Sequence, residues 1–90
     1  MKFSNNTLNE IKDRIPVSQV VGKKVQLKKK GREYVGLSPF NKEKTPSFTV
    51  NDEKQFYHCF STNKHGDIFT FLVEVGGLSF PEAVDKLAEE

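Results

Sequence analysis

Ser38-Pro-Phe-Asn41 and Cys59-Phe-Ser-Thr62 share one spacing, two polar or thiol side chains separated by two residues. Paired ligands at that gap hold structural zinc ions. The two pairs flank an alternating pattern that reads as a β-hairpin, the usual place for such ligands. A structural zinc ion takes four Cys or His ligands, and only Cys59 is of that kind. Serine, asparagine and threonine are weak neutral donors that do not hold the ion. The spacing predicts the shape of a metal site, and the side chains predict that no metal is bound.

His58, Cys59 and His65 are the soft ligands of the sequence. Neighbouring strand residues point to opposite faces, so His58 and Cys59 cannot readily share one ion, and no metal is expected from this trio either. The sequence offers no nucleophile–base pair, carboxylate dyad or phosphate-binding glycine loop, so the domain is not expected to be an enzyme by itself. The more informative chemistry is charge. The net charge is +2, but 23–33 holds six basic residues and one acid, a local +5, whereas 66–90 holds six acids and one base, a local −5. A basic stripe on a nearly neutral domain is an electrostatic footprint for a polyanion. Lysines also shield exposed edge strands, so charge alone leaves both readings open.

Ninety residues suffice for a single small domain, 1–90. Such a chain buries only roughly 60–70% of its unfolded surface, and folds of this size often lean on metals or disulfides. One cysteine excludes an internal disulfide and suits a reducing compartment. The sequence has no apolar run of membrane-spanning length and its amino terminus lacks the apolar segment of a signal peptide. A cytoplasmic location without a membrane partner is expected.

The elements that must position these residues follow from pattern. Thr7 with Glu10 reads as a capping box, followed by the helical stripe Leu8, Ile11 and Ile15. A short helix with Val17, Val20 and Val21 starts at Pro16 or Ser18 and stops at Gly22. Val25–Lys28 reads as a strand, Lys30-Gly31 as a turn and Arg32–Leu37 as the return. Period two then places Val25, Leu27, Val35 and Leu37 on the buried face, and Gln26, Lys28, Arg32 and Tyr34 on the other. After a proline-containing loop, 47–51 and 55–60 form a second hairpin. Asp67 caps a helix with Ile68, Phe71, Leu72 and Val75 inward, ended by Gly76-Gly77; Ser79 and Glu82 box the last helix. The predicted fold is α+β, a small antiparallel sheet of two hairpins flanked by N-terminal and C-terminal helices.

The run Ser-Pro-Phe-Asn-Lys-Glu-Lys-Thr-Pro-Ser-Phe-Thr-Val over 38–50, with Lys-Gln-Phe-Tyr-His-Cys-Phe over 54–60 and Lys-His-Gly-Asp over 64–67, closely resembles the amino-terminal zinc-binding domain of bacterial DnaG-type DNA primases. Residues 25–31 and 69–87 share the likeness, which therefore covers nearly the whole chain. The resemblance implies a zinc-ribbon-like template-recognition module, cut from a longer primase that makes RNA primers on single-stranded DNA. It places the family's four ligands on Ser38, Asn41, Cys59 and Thr62, three of them replaced. Structural zinc contributes on the order of 10 kcal/mol in small zinc peptides, so a substitute is needed. Hydrogen bonds among Ser38, Asn41 and Thr62, with Phe40 and Phe60 filling space and Cys59 as a small buried hydrophobe, are the expected one.

Single-stranded nucleic acid binds basic grooves with aromatic stacking platforms. The expected contacts are Lys28, Arg32 and Tyr34 on one face of the first hairpin, Lys29 and Lys30 at its turn, and Lys44, Lys54, His58 (or Tyr57) and Lys64 from the second. Tyr34 is either a stacking platform or a half-buried strand aromatic. His58 either bonds a base or packs beside Phe56. Phe48, Phe56, Phe69 and Phe71 are assigned to the core, and Pro46 holds Thr45 extended so that Lys44 can project. By resemblance, partners are the single-stranded template and the primase RNA polymerase domain, in cis or trans through the acidic segment 66–90; the replicative helicase is reached only through other domains. The alternative is a protein-interaction module with little DNA affinity of its own.

Overall fold

Local chemistry sets most helix ends in the computed structural model, which describes residues 4–40, 42 and 44–89. Helix α1 spans Asn5–Arg14, and Ser4, not Thr7, caps it: the Thr7 N–H donates to Ser4 Oγ at 3.2 Å. Helix α2 is Val17–Val21, entered through Pro16. Helix α3, Ile68–Glu74, is capped by Asp67, whose Oδ1 accepts the Thr70 N–H at 3.0 Å. Helix α4, Phe80–Ala88, carries the full Ser79–Glu82 capping box.

Between the helix pairs lies one antiparallel meander of five strands: β1 Lys28–Lys30, β2 Glu33–Gly36, β3 Phe48–Asn51, β4 Phe56–Cys59 and β5 Lys64–Gly66. The α+β class with helices at both ends is the one the pattern predicts. The sheet is larger than two hairpins, because Lys64–Gly66 adds a fifth strand too short and too polar to read as one. The first hairpin is also shifted. Residues 25–27 precede β1 rather than form it, and they run close against β2: a Cβ on Gly36 would lie 2.6 Å from the Gln26 carbonyl oxygen. Gly31, at φ +64, makes the β1–β2 turn.

The shift changes which side chains share a face. Directly opposed residues of an antiparallel pair project together. Tyr34 pairs with Lys29 and Val50, and Val50 with Tyr57. Val50 and Tyr57 are buried under the helices, so Tyr34 lies on the core side and packs against it. Lys28 pairs with Val35 on the opposite side. The expected grouping of Lys28 with Tyr34, and of Val35 with Val25, is therefore overturned. Leu37, expected inside, is 48% exposed.

The core joins Ile11, Val17, Val20 and Val21 of the first helices to Ile68, Phe71, Val84 and Leu87 of the last two through Phe48, Val50 and Tyr57 of the sheet. Rings pack through it: Phe48 stacks 5.5 Å from Tyr57, and Tyr57 meets Phe71 edge to face at 5.6 Å. Phe69 is buried as expected, but Phe56 is only half-buried and pairs with Asn51 on the uncovered side. The Asp52 carboxylate, in the β3–β4 turn, accepts from the Ser18 N–H at 2.8 Å and its hydroxyl at 2.6 Å, tying the sheet to α2.

Candidate nucleic-acid interface

Ser38 and Cys59, the first members of the two spaced pairs, meet at the end of the sheet where β2 leaves and β3 enters. Cys59 and Ser38 are both buried, and the Cys59 thiol donates to Ser38 Oγ at 3.0 Å. That hydroxyl oxygen also accepts the Phe40 N–H at 3.0 Å, which turns the loop. Ser61 Oγ lies 3.2 Å from the same sulfur. Ser61 sits between the two spaced positions of the second pair, and spacing alone offered no signal for it. Thr62 Oγ1 is buried, and Asn41 lies outside the described residues, as does Glu43. Among the described residues the hydrogen-bonded group joins Ser38, Cys59 and Ser61. Phe40 fills space as expected, 6.0 Å from Tyr57 and 6.2 Å from Phe48. Phe60 does not: it is 64% exposed.

One sulfur among hydroxyls is not a zinc donor set, since structural zinc is held by thiolates and imidazoles. Among the described residues no cluster of three His, Cys, Asp or Glu side chains forms elsewhere. The hydroxyls act instead on the thiol. Burial pushes the Cys59 thiol up, but hydrogen bonds from Ser38, Ser61 and Thr62 outweigh it and bring it down from 9.0 to about 6. A group held below its unfolded value stabilises the fold above the unfolded range and loses that contribution as pH falls through the folded value. Unfolding free energy should therefore rise from pH 6 to pH 9, by roughly 1.4 kcal/mol for each unit of depression, and Cys59→Ala should remove the rise. Urea melts across that range check it; a flat parent profile, or an unchanged slope in the variant, contradicts the assignment.

The helices cover one side of the sheet only. On the uncovered side the pairing register sets Lys28, Val35, Thr49, His58 and His65 in one row across all five strands. Lys30, Glu33, Asn51 and Phe56 form the next row towards the β1–β2 turn, where Asn51 Nδ2 donates to Glu33 Oε2 at 3.4 Å. Towards the other end Phe60 stands beyond His58, with ring centroids 4.4 Å apart. Strands lie about 4.8 Å apart, so the row is about 19 Å wide. A groove of about 510 Å³ opens at the β1 side of this face, between 24–28 and 35–39, with Lys24 and Lys28 in its wall.

The basic residues singled out in the sequence divide among three places. Lys28 and Lys30 project from the uncovered face of edge strand β1. Arg32 and Lys54 occupy the two turns at the same end of the meander, and Lys44 stands exposed in the loop at the other. Lys29 and Lys64 belong to the helix side: Lys29 Nζ lies 5.7 Å from the Tyr34 ring centre, and Lys64 Nζ lies 5.5 Å from that of Phe40 and 3.7 Å from Glu74. His58 faces outward and Cys59 inward, as alternation requires. The exposed aromatic that sequence reasoning missed is Phe60. The alternation of β4 contained the signal, since Phe60 shares parity with His58 and not with Cys59.

Residues 3–90 match the family model described as the CHC2 zinc finger, the DnaG zinc ribbon. A DNA primase of Staphylococcus aureus (strain COL) is 46% identical over 89 residues, 99% of this chain and 15% of that protein. A DNA primase of Enterococcus faecalis is 42% identical over 88 residues, 98% of this chain and 14% of that protein. The crystal structure of the Aquifex aeolicus primase, comprising zinc-binding and RNA polymerase domains, superposes with a TM-score of 0.84 at 31% identity, over 92% of this chain and 21% of that one. The chain thus spans about 15% of the length of the curated relatives it matches.

Proposed function

Since the chain belongs to the CHC2 zinc-finger family of DnaG-type primases, we propose that it is the template-recognition module of a primase, binding single-stranded DNA on the uncovered face of its sheet. One observation carries the reading. Phe60, 64% exposed, packs against His58 with the two rings tilted by 36°, beside a row that ends in Lys28. Exposed large rings cost solvation unless something covers them, and a nucleobase presents a flat apolar face of matching size. Lys28, Lys30 and Arg32 contact phosphates, and Lys54 extends that contact at the turns. Tyr34 supports the sheet beneath Lys29 rather than offering a free ring.

In this reading the domain folds without zinc, and two of its four ligand positions, Ser38 and Cys59, are joined by a hydrogen bond. It performs no catalysis itself. Primer synthesis belongs to a polymerase domain of the parent protein, which this domain meets in cis or trans, and helicase contact belongs to other domains. The described residues include no helix long and apolar enough to cross a membrane, and a replication protein of this kind works in the cytoplasm.

Fluorescence anisotropy with a labelled single-stranded oligodeoxynucleotide tests the interface. Stacking of a base on an aromatic side chain contributes about 1–3 kcal/mol, so Phe60→Ala should weaken binding roughly tenfold. Replacing Lys28 and Lys30 by alanine should flatten the salt dependence by about 0.7 in log–log slope for each phosphate no longer neutralised. Unchanged affinity and slope in both variants would sink the proposal.

A further inference from the structure

We propose that His58 and His65 form a surface site for a borderline divalent cation, Cu²⁺ or Ni²⁺, on the face of the sheet opposite Cys59. The two histidines are directly opposed on β4 and β5, and residues so placed project together with Cβ atoms about 4.5–5.5 Å apart. His65 is exposed and His58 half-buried, so an ion can enter from solvent. Their ring centroids lie 6.1 Å apart with the planes at 80°. With metal–nitrogen bonds of about 2.0–2.1 Å, each ring centre sits about 3.2 Å from a shared ion, and the two centres can be at most about 6.4 Å apart. The observed separation is already inside that limit. Rotation about side-chain torsions closes it further, without moving the strands.

Asn63 adds a third, weaker donor. Its Oδ1 lies 3.3 Å from His58 Nε2, which orients the ring towards the β4–β5 turn. No third His, Cys, Asp or Glu completes a cluster with the pair among the described residues. Two imidazoles and an amide oxygen leave positions open to water, the nitrogen-and-oxygen environment that suits tetragonal Cu²⁺ and Ni²⁺. Hard cations such as Mg²⁺ and Ca²⁺ require oxygen ligands that the pair lacks. The site is distinct from the family's zinc position, from which it is separated by the sheet, and it does not depend on the DNA-binding proposal.

Calorimetric titration of the untagged chain with NiCl₂ tests it. One Ni²⁺ per chain is expected, with at least a tenfold loss of affinity in His58→Gln and again in His65→Gln, and no loss in Cys59→Ser. Substoichiometric Cu²⁺ should broaden the ring resonances of both histidines before any other signal. Absence of binding, histidine variants that bind as tightly as the parent, or loss of binding in Cys59→Ser alone would each overturn the proposal. Both glutamine variants change outward-facing side chains, so circular dichroism should report an unaltered fold.

Discussion

Replacing Ser38 with Cys, Asn41 with His and Thr62 with Cys is expected to turn this domain into a zinc protein. Cys59 already provides one thiol, buried and 3.0 Å from Ser38 Oγ. The three substitutions would complete the Cys₃His set that holds a structural ion. Stabilisation by a ligand that binds only the folded state grows with its concentration over Kd, reaching about 4 kcal/mol at a thousandfold excess. A domain of this size gains roughly 4–8 °C for each kcal/mol, so the melting temperature should rise by roughly 15 °C or more with zinc. Without zinc the triple variant should melt below the parent, because the Ser38 hydroxyl no longer bonds Cys59 and the Phe40 N–H. The parent should melt at the same temperature with and without EDTA. A parent that loses stability in chelator, or a triple variant indifferent to zinc, would show that these positions are not a relinquished ligand set.

Phe48→Ala should unfold the domain or nearly so, whereas Phe60→Ala should leave its stability within about 0.5 kcal/mol. Phe48 has no exposed surface and its ring neighbours Phe40, Tyr57 and Phe71. Truncating such a ring costs about 3–5 kcal/mol, set against a total of about 5–15 kcal/mol for a native domain. Phe60, 64% exposed, leaves no cavity in the core when removed. Thermal melts of the two variants give the contrast directly. A cooperative transition within a few degrees of the parent for Phe48→Ala, or a large loss for Phe60→Ala, would mean that the two sides of the sheet have been assigned in reverse.

Most of the helical frame was legible because its determinants are local. Ser79 and Glu82 form their box three residues apart, and Asp67 caps α3 from the adjacent position. Ser4 was passed over because Ser4 and Thr7 are both cap-type residues, and their hydroxyls lie 3.0 Å apart in the same turn. Strand β5 was missed for a different reason. Lys-His-Gly has no apolar period, and it becomes a strand only because β4 offers an unpaired edge. The Asp52 bond to α2 spans 34 positions in sequence, and nothing near either residue announces it.

The candidate site divides the same way. Residue types and spacing alone established that zinc's ligand set is broken, that basic charge gathers over 23–33, and that His58 and Cys59 must face apart, because composition and alternation are properties of the chain itself. Which side of the sheet the helices cover was a tertiary decision. Pairing of Tyr34 with Lys29 and Val50, and of Val35 with Lys28, set Tyr34 on the core side and left Val35 outside, since one residue of register reverses every side chain. The same decision exposed Phe60 beside His58 and placed His65 opposite it. The sequence named the ingredients of the proposed binding face, and only packing of the helices against one side determined which of them stay uncovered.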